Sequence, residues 1–266
     1  MIKQDTFFPV SFTCHASRWK DGEQFVAQHS LGLVVAGDME LDFGAYKKTI
    51  SAGDVFFCRR NQLLKFKKLN GSESDFKTIT LFFDENTLTN FAKEFKYNAK
   101  GDVTHFKMPK NDSLIKIFMK SLLDYEDFLE TDISLAQLKQ REALLLLLKN
   151  DVMWQNVLFD FSQPVKIALK DFMEENFQFN VSLERFAYLT GRSLTSFKRD
   201  FKIVFNESPA RWILKKRLGA ARELLTKERK TSIEIYQDLG FQDLSHFSYA
   251  FKKHYGIAPS MVTKQT

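Results

Sequence analysis

Thr195, Ser196, Lys198 and Arg199 carry hydrogen-bonding or cationic ends and bracket Phe197 in a stretch whose apolar spacing is helical. With Phe197 and Phe201 turned inward, these four are left facing outward. A guanidinium presented this way can pair with O6 and N7 of guanine, and a threonine methyl can pack on that of thymine. The arrangement recurs around Phe247 and Phe251, which leave Leu244, Ser245, Ser248 and Tyr249 outward. This second surface is uncharged and would contact bases through hydroxyls and van der Waals packing. Lys202, Lys252 and Lys253, together with the N–H groups at helix starts capped by Ser182 and Ser193, suit phosphates.

The elements that must hold these residues are written twice. Ser182–Lys202 and Ser232–Lys252 each read as cap, short helix, turn glycine (Gly191, Gly240), second helix and basic end, with Pro209 and Pro259 following. Such a repeat is a duplicated helix–turn–helix unit. Ser182 is expected to cap Leu183–Leu189, Ser193 to cap Leu194–Phe205, Ser232 to cap Ile233–Leu239, and Asp243 to cap Leu244–His254, which Gly256 ends. Pro209 opens a long helix through Thr226 that joins the units, and Pro164 is expected to start a helix carrying Ile167, Leu169, Phe172 and Met173. Residues 165–266 hold 18 Lys+Arg against 11 Asp+Glu, while the remainder holds 21 against 22, so the positive charge lies with the repeat. Two such units in one basic segment point to double-stranded DNA. A single helical lysine is ordinarily a solvated residue; two capped copies joined by a helix argue for more.

The other half reads differently. Residues 5–83 alternate short apolar runs with Gly turns, as in Leu31–Ala36, Met39–Phe43, Tyr46–Ile50, Val55–Cys58, Leu63–Lys68 and Phe76–Phe83, which suggests an antiparallel barrel or sandwich. Helices follow over 84–160. Asp84 caps Glu85–Phe95, and longer helices span 112–129 and 133–150. Leu114, Ile117, Phe118, Ser121, Leu122 and Tyr125 form a stripe on the first, and Leu135, Leu138, Ala143 and Leu144–Leu148 mark the second. The pair is expected either to cover its own barrel or to supply a homodimer face. The domains are therefore 1–160 and 161–266, in an α+β chain.

Of 266 residues only Cys14 and Cys58 are cysteine, too few for a disulfide framework or structural zinc site. His15, His29 and His105 are scattered without metal-ligand spacing, so neither a metal nor another cofactor is expected, and no catalysis. With neither a leader segment nor a membrane-length apolar run, a cytoplasmic protein is expected. Phe43, Tyr46, Phe56 and Phe66 are candidates to line a ligand cavity, though core packing is the favoured role for each. Arg59-Arg60 suits either an acidic effector or a solvated loop.

Pro209-x-x-Trp212, Arg217-Leu218-x-x-Ala221-x-x-Leu224-Leu225, Glu234-Ile235, Gly240-Phe241, His246-Phe247-Ser248, Ala250-Phe251-Lys252, Gly256 and Pro259 together resemble the AraC/XylS family of bacterial transcription regulators. The resemblance covers about 100 residues and implies two recognition helices entering successive major grooves about one turn apart. It implies the same base-reading positions. It further implies activation through RNA polymerase. Gly32–Phe57, with its Ser51-Ala52-Gly53-Asp54 turn, resembles the family's cupin-like sensory barrel over 5–83, which implies that this half answers a small molecule or a protein. Tyr236 departs from the pattern, which has alanine there at the close approach of two helices; the ring must displace the recognition helix or turn outward. Two other functions fit parts of the chain: a protein-interaction adaptor with weakened DNA reading, and a non-catalytic cupin-type ligand binder.

Overall fold

The computed structural model describes residues 9–13, 24–70, 76–99, 113–151 and 153–262. Cys14, His15 and His105 lie outside them. Among the described residues nine strands come first: β1 (Val10–Thr13), β2 (Phe25–Val26), β3 (His29–Ala36), β4 (Asp38–Asp42), β5 (Lys47–Ser51), β6 (Val55–Cys58), β7 (Gln62–Leu63), β8 (Lys65–Asn70) and β9 (Lys77–Phe83). They pair as a four-stranded sheet β1-β9-β3-β6, a three-stranded sheet β5-β4-β8 and a two-stranded ladder β2-β7, every pairing antiparallel. Antiparallel sheets were expected; among the described residues they form separate ladders, not one closed ring. Val34, Phe56 and Cys58 from the first sheet meet Met39, Leu41 and Ile50 from the second in one cluster. The strict alternation of β4 follows, with Met39 and Leu41 buried and their neighbours part-exposed.

The other face of the four-stranded sheet is covered by helices. These are α1 (Glu85–Phe95), α2 (Ser113–Ser121) with a 3-10 turn at Leu122–Tyr125, α3 (Glu126–Leu129), α4 (Ile133–Asn150) and α5 (Met153–Leu158). Leu31, Leu33, Ile79 and Leu81 pack there against Leu88, Phe91, Ile115, Phe118, Met119 and Leu144. The apolar stripe expected on the second helix divides. Phe118 and Leu122 are buried, but so are Ile115 and Met119, while Leu114 and Ile117 face solvent. On α4, Ala136, Gln140, Ala143, Leu144 and Leu147 are buried and Leu138 is exposed. A helix this rich in leucine has more than one apolar face, and the sheet selects only one.

The second half is helical: α6 (Leu169–Asn176), α7 (Leu183–Leu189), α8 (Leu194–Phe205), α9 (Pro209–Thr226), α10 (Ser232–Ile235), α11 (Leu244–Tyr255) and α12 (Pro259–Val262). Pro164 does not start a helix, because residues 160–168 run as irregular chain up to Leu169. Two of their carbonyls accept from side chains elsewhere: Ile167 O from Arg192 Nη1 at 3.0 Å and Asp160 O from Arg60 Nη2 at 2.8 Å. One core gathers Leu169, Met173, Phe186, Phe197, Phe201, Trp212 and Ile213, and with them Phe25 and Leu63 of the β2-β7 ladder. A separate core gathers Leu218, Ala221, Leu225, Ile235, Phe247 and Phe251. The long helix α9 contributes to both.

Candidate nucleic-acid interface

Each recognition helix is positioned by its buried rings and its cap. Phe197, Phe201, Phe247 and Phe251 are each fully buried, and burying such a ring is worth roughly 1.5–3 kcal/mol. Ser193 Oγ accepts from Ser196 N at 3.3 Å, and Asp243 Oδ1 accepts from His246 N at 2.6 Å. Both N-terminal turns are thus satisfied by short polar side chains.

In the first unit Thr195, Lys198, Arg199 and Lys202 are exposed, and Ser196 is half-buried beside its cap. Ser193 Oγ also donates to Ser196 Oγ at 3.1 Å, so both hydroxyls are engaged. Ser182 Oγ accepts from Arg185 N at 3.2 Å as the cap of α7. The side chain of Arg199 is 69% exposed yet tethered, its Nη2 lying 3.3 Å from Asp200 Oδ1. Asp200 also accepts from Arg192 Nε at 3.1 Å and lies 3.5 Å from Lys166. These cations hold its carboxyl below the usual carboxylate range, the Arg192 hydrogen bond foremost. The turn itself needs Gly191, at φ +65, where an added Cβ would lie 2.4 Å from the Val165 carbonyl carbon.

In the second unit Ser245, Tyr249, Lys252 and Lys253 are exposed and Ser248 is half-buried. Lys253 Nζ sits 5.8 Å above the Tyr249 ring, a cation beside an otherwise neutral surface. Leu244 corrects the expectation: it packs against the core of its own unit. Three residues ahead of Phe247, it shares that residue's face. His246 was not anticipated and is exposed, at the place Ser196 takes in the first unit. Its position immediately before Phe247 was the available signal. Ile203, one turn beyond Arg199, is 76% exposed.

The first helices of the two units differ in length. In the first unit Ala187 is buried within a helix of seven residues. In the second, α10 stops after four residues and Tyr236 is its C-cap. The recognition helix keeps its buried rings, and Tyr236 packs half-buried against the same core. The cap also moves: Thr231, not Ser232, starts the helix, in a capping box with Glu234.

In the other half, Arg59 and Arg60 are engaged by the chain's own groups. Arg60 Nη1 lies 2.6 Å from Glu85 Oε2, its Nη2 donates to Asp160 O at 2.8 Å, and Arg59 lies 3.3 Å from Asp160. Arg60 N donates to His29 Nδ1 at 3.2 Å, and burial, then the two arginines, push the His29 pKa down to about 3. Phe56 is core, Phe43 and Phe66 pack against it, and Tyr46 is exposed. Among the described residues no group of three or more metal-ligating side chains assembles, and no helix is long and apolar enough to cross a membrane.

Fold and surface together define a protein with two helix–turn–helix units joined by one helix and attached to an antiparallel β domain. Residues 186–265 match the model of a helix-turn-helix domain, and residues 29–155 match that of the ExsA N-terminal regulatory domain. The chain thus resembles regulators of the AraC/XylS type in both halves, over residues 29–155 and 186–265. It is 31% identical over 142 residues to the virulence regulon transcriptional activator VirF of Yersinia enterocolitica, covering 53% of this chain and 51% of that protein. It is 30% identical over 128 residues to the HTH-type transcriptional regulator ExsA of Pseudomonas aeruginosa, covering 47% and 46%. The chain thus spans about half the length of the curated relatives it matches. A solved AraC-type regulator from Chromobacterium violaceum aligns with 31% identity over 36% of this chain and 87% of that one, at a TM-score of 0.33.

Proposed function

We propose that the protein is a sequence-specific DNA-binding transcription regulator that docks α8 and α11 in successive major grooves of double-stranded DNA. The observation that carries this reading is the pair of capped helices, each anchored by two buried phenylalanines and each presenting polar side chains outward. Thr195, Ser196, Lys198 and Arg199 read one box, and Ser245, Ser248 and Tyr249 the other. Lys202, Lys252, Lys253 and the capped helix starts at Ser182 and Ser193 engage phosphates. The name of the Yersinia relative, a transcriptional activator, favours activation, for which RNA polymerase is the partner. The β domain receives the controlling signal, a small molecule or a protein. The exposed Leu114, Ile117, Phe128 and Leu138 favour a homodimer through residues 112–150. The chain acts in the cytoplasm and performs no catalysis.

Selection of bound sequences from a random duplex pool tests this with the full chain. Two boxes about one helical turn apart are the expected outcome, and absence of any enrichment overturns it. A second reading, a protein-interaction adaptor, draws on the shortened α10 and the neutral face of α11. Affinity that falls steeply with salt favours the regulator; salt-independent behaviour favours the adaptor.

A further inference from the structure

The loop 177–180 is where three parts of the molecule meet. From α9, Arg217 Nε donates to Phe177 O at 2.9 Å and Nη2 to Phe179 O at 2.8 Å, in the connection between α6 and α7, whose two phenylalanines pack in the core of the first unit. Its Nη1 donates to Gly240 O at 2.7 Å, the turn of the second unit. The contact leaves no slack. At Gly240, φ +82, an added Cβ would lie 2.5 Å from Gln178 O and 2.8 Å from the Arg217 guanidinium. The β domain closes on the same loop. Asn180 N donates to Gln24 Oε1 at 2.9 Å, and Gln24 N to Asn180 O at 3.3 Å. Lys65 Nζ stands 4.9 Å over the Phe179 ring and donates to Asp238 O at 2.6 Å, two residues before Gly240.

The two units have separate cores. A helix running through both fixes their distance, but the direction each recognition helix points still depends on how each core rolls about α9. A guanidinium is planar and its donors form a rigid fork, so three carbonyls bound to it are fixed relative to one plane. That plane spans the two units. An ammonium on a flexible stem cannot do the same.

We propose that Arg217 sets the angular phase between the two recognition helices, and so the spacing between the two DNA boxes that the protein accepts. Arg217 is a positioning residue and touches no base. Lys65 is the point at which the β domain holds the same joint. This rests on the DNA reading proposed above, and it adds what determines the geometry of the bipartite site.

The test uses the full chain and a two-box duplex selected with the unaltered protein, with companion duplexes whose spacer is one base pair longer or shorter and one carrying a single box. Each added base pair rotates one box by about 34° around the axis. The unaltered protein is expected to prefer its own spacer by about tenfold or more, worth about 1.4 kcal/mol. Arg217→Lys and Arg217→Gln should keep single-box affinity within about twofold while the spacer preference falls below about threefold. Lys65→Met should relax the preference by a smaller factor. An unchanged spacer preference in both Arg217 variants overturns the inference. So does an equal loss on single-box and two-box duplexes, which is what a purely structural residue or a misfolded variant gives. Unaltered Lys65→Met preference removes Lys65 from the joint. Failure of the unaltered protein to select any box removes the DNA reading itself, and the inference with it.

Discussion

The two helix–turn–helix units share one plan and are braced in different ways. The turn of the first is covered by the chain entering from the β domain, with Val165 and Lys166 against Gly191 and Arg192 bonded to Ile167 O. Its core also takes in Phe25 and Leu63 from that domain. The core of the second unit is completed by α9 and, among the described residues, takes in none from the β domain; its first helix has four residues instead of seven, and its turn is held from outside by Arg217 and Lys65. The first unit is thus built into the rest of the molecule, whereas the second hangs from α9 and a polar joint. Their surfaces differ in parallel: a guanidinium lies outward on α8 where α11 has a phenol. The difference implies that the first unit carries most of the sequence discrimination and the second adds affinity whose geometry can be adjusted.

The largest test of this contrast is in the cores. Phe201→Ala and Phe251→Ala each remove a fully buried ring and should each cost about 3–5 kcal/mol. They should differ in reach. Phe201 meets Trp212 edge to face, ring centroids 5.6 Å apart, in the core that includes the β2-β7 ladder, so its loss should shift Trp212 emission and loosen the β domain, read by hydrogen exchange at β2 and β7. Phe251→Ala should leave β2 and β7 protected. Equal deprotection by both variants would show that the units are not independent bodies.

The base-reading positions give the next effect. Arg199→Ala should weaken binding to the cognate duplex by roughly 1–3 kcal/mol and relax specificity at one base pair. For Tyr249→Ala the expected loss is about 1 kcal/mol, because a phenol offers one hydrogen bond where a guanidinium offers a bidentate pair. Titration against cognate and randomised duplexes checks both. Equal loss by Arg199→Ala on the two would move Arg199 among the phosphate contacts, and a larger loss for Tyr249→Ala would invert the contrast.

Much of this was legible because it is local. Ser182, Ser193, Asp243 and Asp84 cap the helices anticipated for them, and α9 runs from Pro209 to Thr226 as its proline and apolar spacing indicate. A cap and a helical period are set within a few residues. Leu244 was misplaced because counting outward positions from Phe247 and Phe251 gives no weight to a leucine one turn earlier on the same face. The start at Pro164 failed because proline permits a helix but does not compel one, and Arg192 claims a carbonyl of that segment. The joint at 177–180 could not be seen at all. Lys65 and Asp238 are 173 residues apart, and nothing in either neighbourhood names the other.

Phosphate contacts should not distinguish the units, which sharpens the comparison by isolating base reading. Lys202→Ala and Lys252→Ala remove exposed cations at equivalent places on α8 and α11. Each should lower affinity for cognate and random duplexes alike and reduce the salt slope of binding by about 0.9. Dissociation constants across a salt series give both quantities. A sequence-dependent loss for either lysine would place it at a base edge and remove it from the phosphate set.

Tyr236→Ala should have the smallest energetic effect and the most local one. Tyrosine is half-buried at the edge of the second core, so its removal exposes little that was sealed, while alanine favours the helix by about 0.5 kcal/mol. The net change in stability should therefore stay within about 1 kcal/mol. Geometry should respond more than energy. With the ring gone, α10 can continue past Ile235 as α7 does around Ala187, and α11 can settle closer to it. Footprinting should then show altered contacts in the box read by α11 and an unchanged pattern in the box read by α8. An unchanged footprint in both boxes would mean that the shortened α10 has another origin than the tyrosine. The departure from alanine would then carry no weight for recognition, and the neutral face of α11 would have to account for the second unit's weaker reading alone.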